Sequence, residues 1–451
     1  MASEWKELHL GEVCTKIGSG ATPRGGSSAY LESGLYSLIR SQNVYNDGFH
    51  HDGLAFISEQ QASELANVEV KAGDVLLNIT GDSVARVCQV DSDVLPARVN
   101  QHVAIVRPDP QKLNPRFLRY ALVSPQAQSK LLSWAGAGAT RNALTKGMIE
   151  AFDIFAPRQS EEQAAIADIL GAFDDKIELN RKMNETLEAM ARAIFQSWFV
   201  DFDPVRAKAA VRREHPRWTD AEVCRAALPT LSTEIAALFP DSFENSALGD
   251  IPKGWRVMGL DEIARFLNGL ALQKYPPIDG KSVPVIKIAQ LRAGNTLGAD
   301  RATADLESDY LVQDGDILFS WSGSLECVFW AGGLGALNQH LFKVTSTQFP
   351  RWLCYLAVHQ HLDEFRHIAA GKATTMGHIQ RRHLSDAKIA VPPRSLLEAM
   401  TPVIEPIIES TWRRNVESRT LAALRDTLLP KLISGELRLK HTEQMIEEAN
   451  R

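Results

Sequence analysis

From Ser160 to Phe199 the chain reads SEEQAAIADILGAFDDKIELNRKMNETLEAMARAIFQSWF, with one glycine, Gly171, and no proline. Its opening has the form of a capping box, in which Ser160 accepts from the Gln163 amide and the Gln163 side chain reaches back. A seam then runs through Ile166, Leu170, Phe173, Ile177, Asn180, Asn184, Leu187, Ala191, Ile194 and Trp198. Its alternating steps of four and three are the heptad spacing of a helix that buries one stripe against a partner helix. At 1.5 Å per residue the stretch spans roughly 60 Å, too long to lie end to end inside one small domain. Asparagine at seam positions Asn180 and Asn184 lowers stability but fixes register.

The segments on either side of this helix resemble each other. Trp5, Leu10 and Glu12 fall in step with Trp255, Leu260 and Glu262; Gly73-Asp74-Val75-Leu76 with Gly315-Asp316-Ile317-Leu318; Asn100-Gln101-His102 with Asn338-Gln339-His340. Ala139-Thr140 recurs as Ala373-Thr374, and Ile154-Phe155-Ala156-Pro157 as Ile389-Ala390-Val391-Pro392. Five matches in one order indicate a duplicated domain rather than an array of short repeats. Each copy reads as mixed α/β. Strands are expected at Val75–Ile79, Ile317–Trp321, Val103–Val106 and Leu341–Val344, and helices at Asn114–Leu132 and Gln348–Ile368.

A second, weaker version of the long helix runs from Ser395 to Leu437. It opens with a capping box, Ser395 to Glu398, and carries Asn415 and Leu421 at places similar to Asn180 and Leu187. Pro402 and Pro406 remove amide donors, so a kink or a late start is expected, and Gly435 is a helix stop. Between the copies, Val205 to Arg217 holds Arg206, Lys208, Arg212, Arg213 and Arg217 against one acid, Glu214. This segment reads either as a solvated linker helix or as a contact for phosphate or a partner.

At 451 residues, 45% hydrophobic and 23% charged, the chain has room for two or three soluble domains. It shows no bilayer-length apolar run and no signal pattern, so a cytoplasmic location is expected. Its five cysteines are scattered and form no Cys-x-x-Cys pair, which suggests neither a disulfide framework nor a zinc site. Net charge is −6, which weighs against binding nucleic acid through bulk positive charge alone. Catalytic signatures are absent: Tyr275-Pro276-Pro277 lacks the acid or amide of an adenine methyltransferase loop, and Gly280-Lys281-Ser282 lacks the upstream glycine of a phosphate loop. Pro108-Asp109 distantly resembles a nuclease motif without its second acid, and His50-His51 has no third metal ligand at suitable spacing.

Taken with Ser197-Trp198-Phe199-Val200-Asp201-Phe202-Asp203-Pro204, Ile251-Pro252-Lys253-Gly254-Trp255 and Lys431-Leu432-Ile433-Ser434-Gly435-Glu436-Leu437, the plan resembles the specificity subunit of type I restriction-modification systems along nearly the whole chain. The resemblance implies an α+β (mixed α/β) fold: two pseudo-repeated α/β recognition domains separated by two long antiparallel coiled-coil helices. Recognition domain one would occupy residues 1–157 and the first spacer helix 158–200. A basic helical linker would follow at 201–248, recognition domain two at 249–393, the second spacer helix at 394–440 and a tail at 441–451. It further implies that each domain reads half of a split, asymmetric target in double-stranded DNA, and that the helices set the unread spacer. Two modification subunits would dock on the helices and methylate adenine at N6 with S-adenosylmethionine. Restriction subunits would add ATP- and Mg2+-dependent translocation and cleavage, and the chain itself would bind no cofactor, hold no metal and be non-catalytic.

Asn100-Gln101-His102 and Asn338-Gln339-His340 have side chains suited to bases. Appearing in both copies, they fit a structural or phosphate-directed role better than a specifying one. Sequence reading is expected where the copies differ. In copy one the candidates are Thr22, Arg24, Arg40, Gln42, Asn43, Asp82, Arg86, Thr140, Arg141 and Asn142. In copy two they are Lys287, Gln290, Arg292, Ser322, Ser324, Lys372, Thr374, Thr375 and His378. Arginine and lysine suit guanine, and glutamine and asparagine suit adenine. Two other readings stay open: a stand-alone two-domain DNA-binding regulator, and a coiled-coil scaffold with no nucleic-acid role.

Overall fold

The computed structural model describes residues 5–136, 142–278, 280–371 and 377–438. By packing, the chain forms two units: residues up to Lys176 join those from Leu421 onward, and Ile177–Thr420 form the other.

In the first unit, strand Trp5–His9 pairs antiparallel with Asp153–Pro157 and closes the domain on itself. One antiparallel sheet has the order Cys14–Ser19, Val103–Pro108, Val75–Asn78, Val87–Gln89. A second has the order Ala55–Ile57, Tyr36–Ile39, Ala97–Val99, Glu69–Val70, with Tyr36–Ile39 parallel to Ala97–Val99. The second unit repeats this plan. Arg256–Gly259 pairs with Lys388–Val391. One sheet runs Arg265–Asn268, Leu341–Thr345, Ile317–Ser320, Cys327–Phe329. The other runs Arg301–Thr303, Ser282–Ile286, Gly335–Leu337, Leu311–Val312, and its parallel pair is again the inner one. The duplication read from five sequence matches is thus a duplication of topology.

The matched residues are those this topology requires. Gly73 (φ 85°) and Gly315 (φ 89°) take the left-handed conformation that side chains disfavour. The aspartate after each closes the turn: Asp74 accepts from Lys71 N at 2.8 Å and Asp316 from Gln313 N at 2.8 Å. A strand cation then neutralises each, Arg107 on Asp74 and Lys343 on Asp316. Val75-Leu76-Leu77 reads as a continuous apolar run because the strand is covered on both faces. Val75 and Leu77 enter the core shared with helix Pro115–Val123, whereas Leu76 enters the core beneath the second sheet.

The first long helix spans Ser160–Phe195 and ends in a π turn, Gln196–Val200; the second spans Arg394–Ile433. Every seam position from Ile166 to Trp198 is buried or half-buried. Within Ile177–Thr420, Asn180 donates to Glu417 (2.9 Å) and Ser418 (3.2 Å), and Asn184 donates to Thr411 O (3.0 Å) and Asn415 Oδ1 (2.8 Å). Within the other unit, Asp174 binds Arg425 of the second helix and Arg119 and Tyr120 of the domain. Rising numbers on one helix meet falling numbers on the other, so the pair is antiparallel. Leu421 is half-buried beside this seam. Gly435 (φ 73°) stops the second helix, and Leu437 N turns back to Lys431 O.

Four local expectations are corrected. The Gln163 carboxamide does not reach back to Ser160. It binds Asn114 N (2.8 Å) and Pro157 O (2.9 Å), which ties the helix to its domain. Glu398 pairs with Arg394 (2.7 Å) instead of closing a box with Ser395. The second helix does not start late, because it runs through Pro402 and Pro406 without a break. The helical stretch expected at Asn114–Leu132 is two helices, Pro115–Val123 and Pro125–Gly136, divided at Ser124 because a residue before proline is pushed out of the helical region.

The segment between the copies folds as helices Asp203–Glu214, Asp220–Ala227 and Thr233–Leu238 and the hairpin Phe243–Ser246/Gly249–Pro252. Its basic run is partly internal. Lys208 is buried with its ammonium on the carbonyls of Ala236 and Phe239, and Arg212 pairs with Asp220 and Asp241. Arg206 donates to Asp201 O (2.8 Å), whereas Arg213 and Arg217 are exposed.

Candidate nucleic-acid interface

The Asn-Gln-His turns anchor both recognition surfaces in the same way. Asn100 Oδ1 accepts from His102 N (3.1 Å), and Asn338 Oδ1 accepts from His340 N (3.3 Å). Each histidine has its Nδ1 on a hydroxyl, Thr80 (2.6 Å) or Ser322 (3.0 Å), and its Nε2 beside the preceding glutamine, Gln101 (3.0 Å) or Gln339 (3.3 Å). The backbone packs tightly against these turns: a Cβ on Gly20 would meet Val99 O at 1.9 Å, and one on Gly269 would meet Asn338 O at 2.3 Å. The pair Gly20/Gly269 is a shared feature that can be found by aligning the two copies.

Loops of different length project from this common frame. In copy one, a cleft of about 630 Å³ is lined by Gln42, Tyr45, Thr80, Asp82, Arg86, His102 and Asn142, among others. It therefore gathers Gln42, Asp82, Arg86 and Asn142 from three separate segments of sequence. Gln42, Asp82 and Asn142 are exposed and Arg86 half-exposed. Thr22 is not among the residues that line this cleft and is bonded to Gln101, and Arg24 is almost fully exposed, 4.0 Å from Glu64. Arg40 is half-buried, with its guanidinium on Gly53 O and over the Tyr30 ring (5.3 Å).

Asn43 is corrected as a base reader. It is 0% exposed, and its amide holds His50 O (2.9 Å) and Asp52 O (3.2 Å) while its oxygen caps Arg40 N. Ser322 is corrected for the same reason: it is 3% exposed and engaged with His340.

In copy two, Lys287 occupies the place of Arg40, since each begins a short helical turn after the inner parallel strand. Lys287 is exposed and pairs with Asp300 (2.5 Å). Gln290 is half-buried and accepts from Lys287 N (3.3 Å), whereas Arg292 and Ser324 are exposed. His378 lies edge-on to Trp321 (6.3 Å). Thr140, Arg141, Lys372, Thr374 and Thr375 lie outside the described residues, as does the Ala139-Thr140/Ala373-Thr374 pair.

Tyr45 was not singled out from the sequence. It stacks with His50 (4.1 Å between centroids) and lies 4.4 Å beneath the Arg86 guanidinium. An aromatic residue in an Asn-x-Tyr-Asn loop is too common a signal to reveal this. His50 and His51 pair with Asp47 (3.1 Å) and Asp91 (2.9 Å). Among the described residues no cluster of three metal-binding side chains forms, and no helix is long and apolar enough to cross a membrane.

The scaffold is doubled, with one shared turn and two unlike sets of polar loops. The chain belongs to the type I restriction modification DNA specificity domain family, which matches residues 2–189 and 252–407. It is 26% identical over 473 aligned residues to the HindI type I restriction enzyme specificity subunit of Haemophilus influenzae, covering 96% of this chain and 100% of that one. It is also 26% identical to the MjaIX specificity subunit of Methanocaldococcus jannaschii over 332 residues, 71% of this chain and 69% of the relative. The type I restriction-modification S subunit from M. genitalium shares the fold, with a TM-score of 0.51, 15% identity and coverage of 95% and 96% of the two chains.

Proposed function

We propose that copy one and copy two each read one half of a split DNA target, and that the antiparallel helices set the unread spacer between the halves. The observation that carries this is the pairing of identical turns with non-identical loops: the frame is held constant while Gln42, Asp82 and Arg86 face the cleft in one copy and Lys287, Arg292 and Ser324 stand exposed in the other. Residues that specify should differ between copies, and residues that position should not.

The chain supplies recognition and a scaffold. Two modification subunits, carrying S-adenosylmethionine and methylating adenine at N6, dock on the long helices, and restriction subunits with ATP and Mg2+ join them. No catalytic step is assigned to this chain. Support for docking comes from a second apolar line on the first helix, where Leu179, Met183 and Met190 stay exposed outside the seam.

The test is to co-express the chain with its modification subunit and map methylated adenines for wild type, Gln42→Ala and Lys287→Ala. Each variant is expected to relax one half of the motif and leave the other half intact. If either variant relaxes both halves, or neither relaxes any, the assignment of one copy to each half is wrong.

A further inference from the structure

Sheet register aligns the two copies where loop lengths differ. Leu77 pairs with Val87, and Phe319 pairs with Cys327. One step nearer each hairpin tip, Asn78 N donates to Arg86 O at 2.9 Å and Ser320 N donates to Glu326 O at 2.9 Å. Arg86 and Glu326 therefore hold the same position of the duplicated fold with opposite charge.

Their surroundings differ as well. Arg86 lies over Tyr45 at 4.4 Å, and Tyr45 stacks with His50 at 4.1 Å and 20°. Tyr45 belongs to the hairpin Val44–Tyr45/Gly48–Phe49, which Asn46 pins in place by accepting from Val87 N (2.8 Å) and donating to Gln128 (3.1 Å). Stacking fixes the plane of a guanidinium through its face and leaves its N–H fork for a ligand. Among the described residues no carboxylate lies within ion-pair distance of Arg86, which lines the cleft together with Gln42 and Asp82. In copy two no strand pair follows helix Ile288–Ala293 before Arg301 among the described residues, so Glu326 has no counterpart of the Tyr45 hairpin there. Glu326 is instead tied to Arg366 (3.3 Å).

We infer that Arg86 is the guanine-reading residue of copy one, donating its fork to O6 and N7 of one guanine in the major groove. This rests on the proposed reading of half-targets by the two copies. A phosphate contact needs charge but no fixed plane, and it would not be inverted to glutamate in the other copy. A bidentate arginine–guanine pair gains from an anchored guanidinium, and the Tyr45 ring 4.4 Å beneath Arg86 supplies the anchor.

The experiment maps methylated adenines made by the full chain co-expressed with its modification subunit. Variants are Arg86→Gln, Tyr45→Ala and Glu326→Gln, each checked for a wild-type melting temperature. The wild-type motif should contain a guanine that Arg86→Gln relaxes or converts to adenine at that single position, by roughly tenfold to a hundredfold in relative methylation. Tyr45→Ala should weaken preference at the same guanine, and Glu326→Gln should leave the motif unchanged. The inference is overturned if Arg86→Gln keeps full guanine preference, or if it lowers methylation evenly at all targets, the sign of a phosphate contact. Should Arg86→Gln fail to fold, a Tyr45→Ala map in which every position is unaltered overturns the inference as well. A wild-type map with no split motif would instead remove the functional reading on which it rests.

Discussion

Asp174 sits where a domain meets its helix pair, with Arg119 and Arg425 on its carboxylate and the Tyr120 hydroxyl donating at 2.6 Å. Burial alone would raise this carboxyl, but the two guanidinium groups and the hydroxyl outweigh it and hold it below its ordinary value. Removing the acid strands two mostly buried arginines. Asp174→Ala should therefore cost about 3–5 kcal/mol, read by denaturant unfolding at neutral pH. Because the folded value is depressed, this contribution is present above the unfolded value near ~4 and is lost as pH falls through the folded one. The gap between wild type and Asp174→Ala should therefore close only below about pH 4. His359 gives the opposite test. Burial, aided by Arg192, lowers it to about 4, with Cys327 O 2.9 Å from Nε2. Between about pH 6.5 and 4 only the unfolded chain binds this proton, so stability should fall with pH across that window, by no more than about 3 kcal/mol. His359→Gln should flatten that slope in a pH series of unfolding curves. At this scale the sequence was a partial guide. Asn43 and Ser322 have the chemistry of base readers, but whether a short polar side chain turns inward depends on partners distant in sequence, here His50 O and His340. Arg86 was visible as a cation in a loop; its platform and its equivalence to Glu326 were not, because only strand register aligns hairpins of unequal length.

The long helices carry their specification in the seam. Among the described residues Asn184 Oδ1 is buried without a hydrogen-bond partner, although its amide bonds Thr411 and Asn415 across the pair. Asn184→Leu should be neutral or stabilising by about 1 kcal/mol in thermal unfolding, yet should blur the spacer length in a methylation map, because the polar register mark is gone. A matched insertion of four residues beside Asn184 and Asn415 lengthens each helix by about 6 Å, or roughly two base pairs. The preferred spacer should grow accordingly with both half-sites unchanged, and an unchanged spacer would refute the ruler role. The seam was legible because heptad spacing is set by helix geometry alone. The helix starts were not, since Gln163 and Glu398 had competing partners in Asn114 and Arg394 that local sequence does not reveal.

For the whole molecule, the duplication was readable because Gly73/Gly315, Asp74/Asp316 and the two Asn-Gln-His turns answer the same steric and hydrogen-bonding demands in each copy. The division of packing was not readable: the chain from Leu421 joins the first unit and Ile177–Thr420 forms the second, although chain order suggests separate consecutive domains. Long-range partners such as Arg425 with Asp174 decide this, and they are 251 residues apart. The central claim is that one chain reads two unlike half-targets at a fixed distance. Its most direct test is the genome-wide map of methylated adenines in cells expressing this chain with its modification subunit. The account predicts a single asymmetric motif in two parts, separated by an unread spacer of constant length. A contiguous motif, two identical halves, or a spacer of variable length would contradict it.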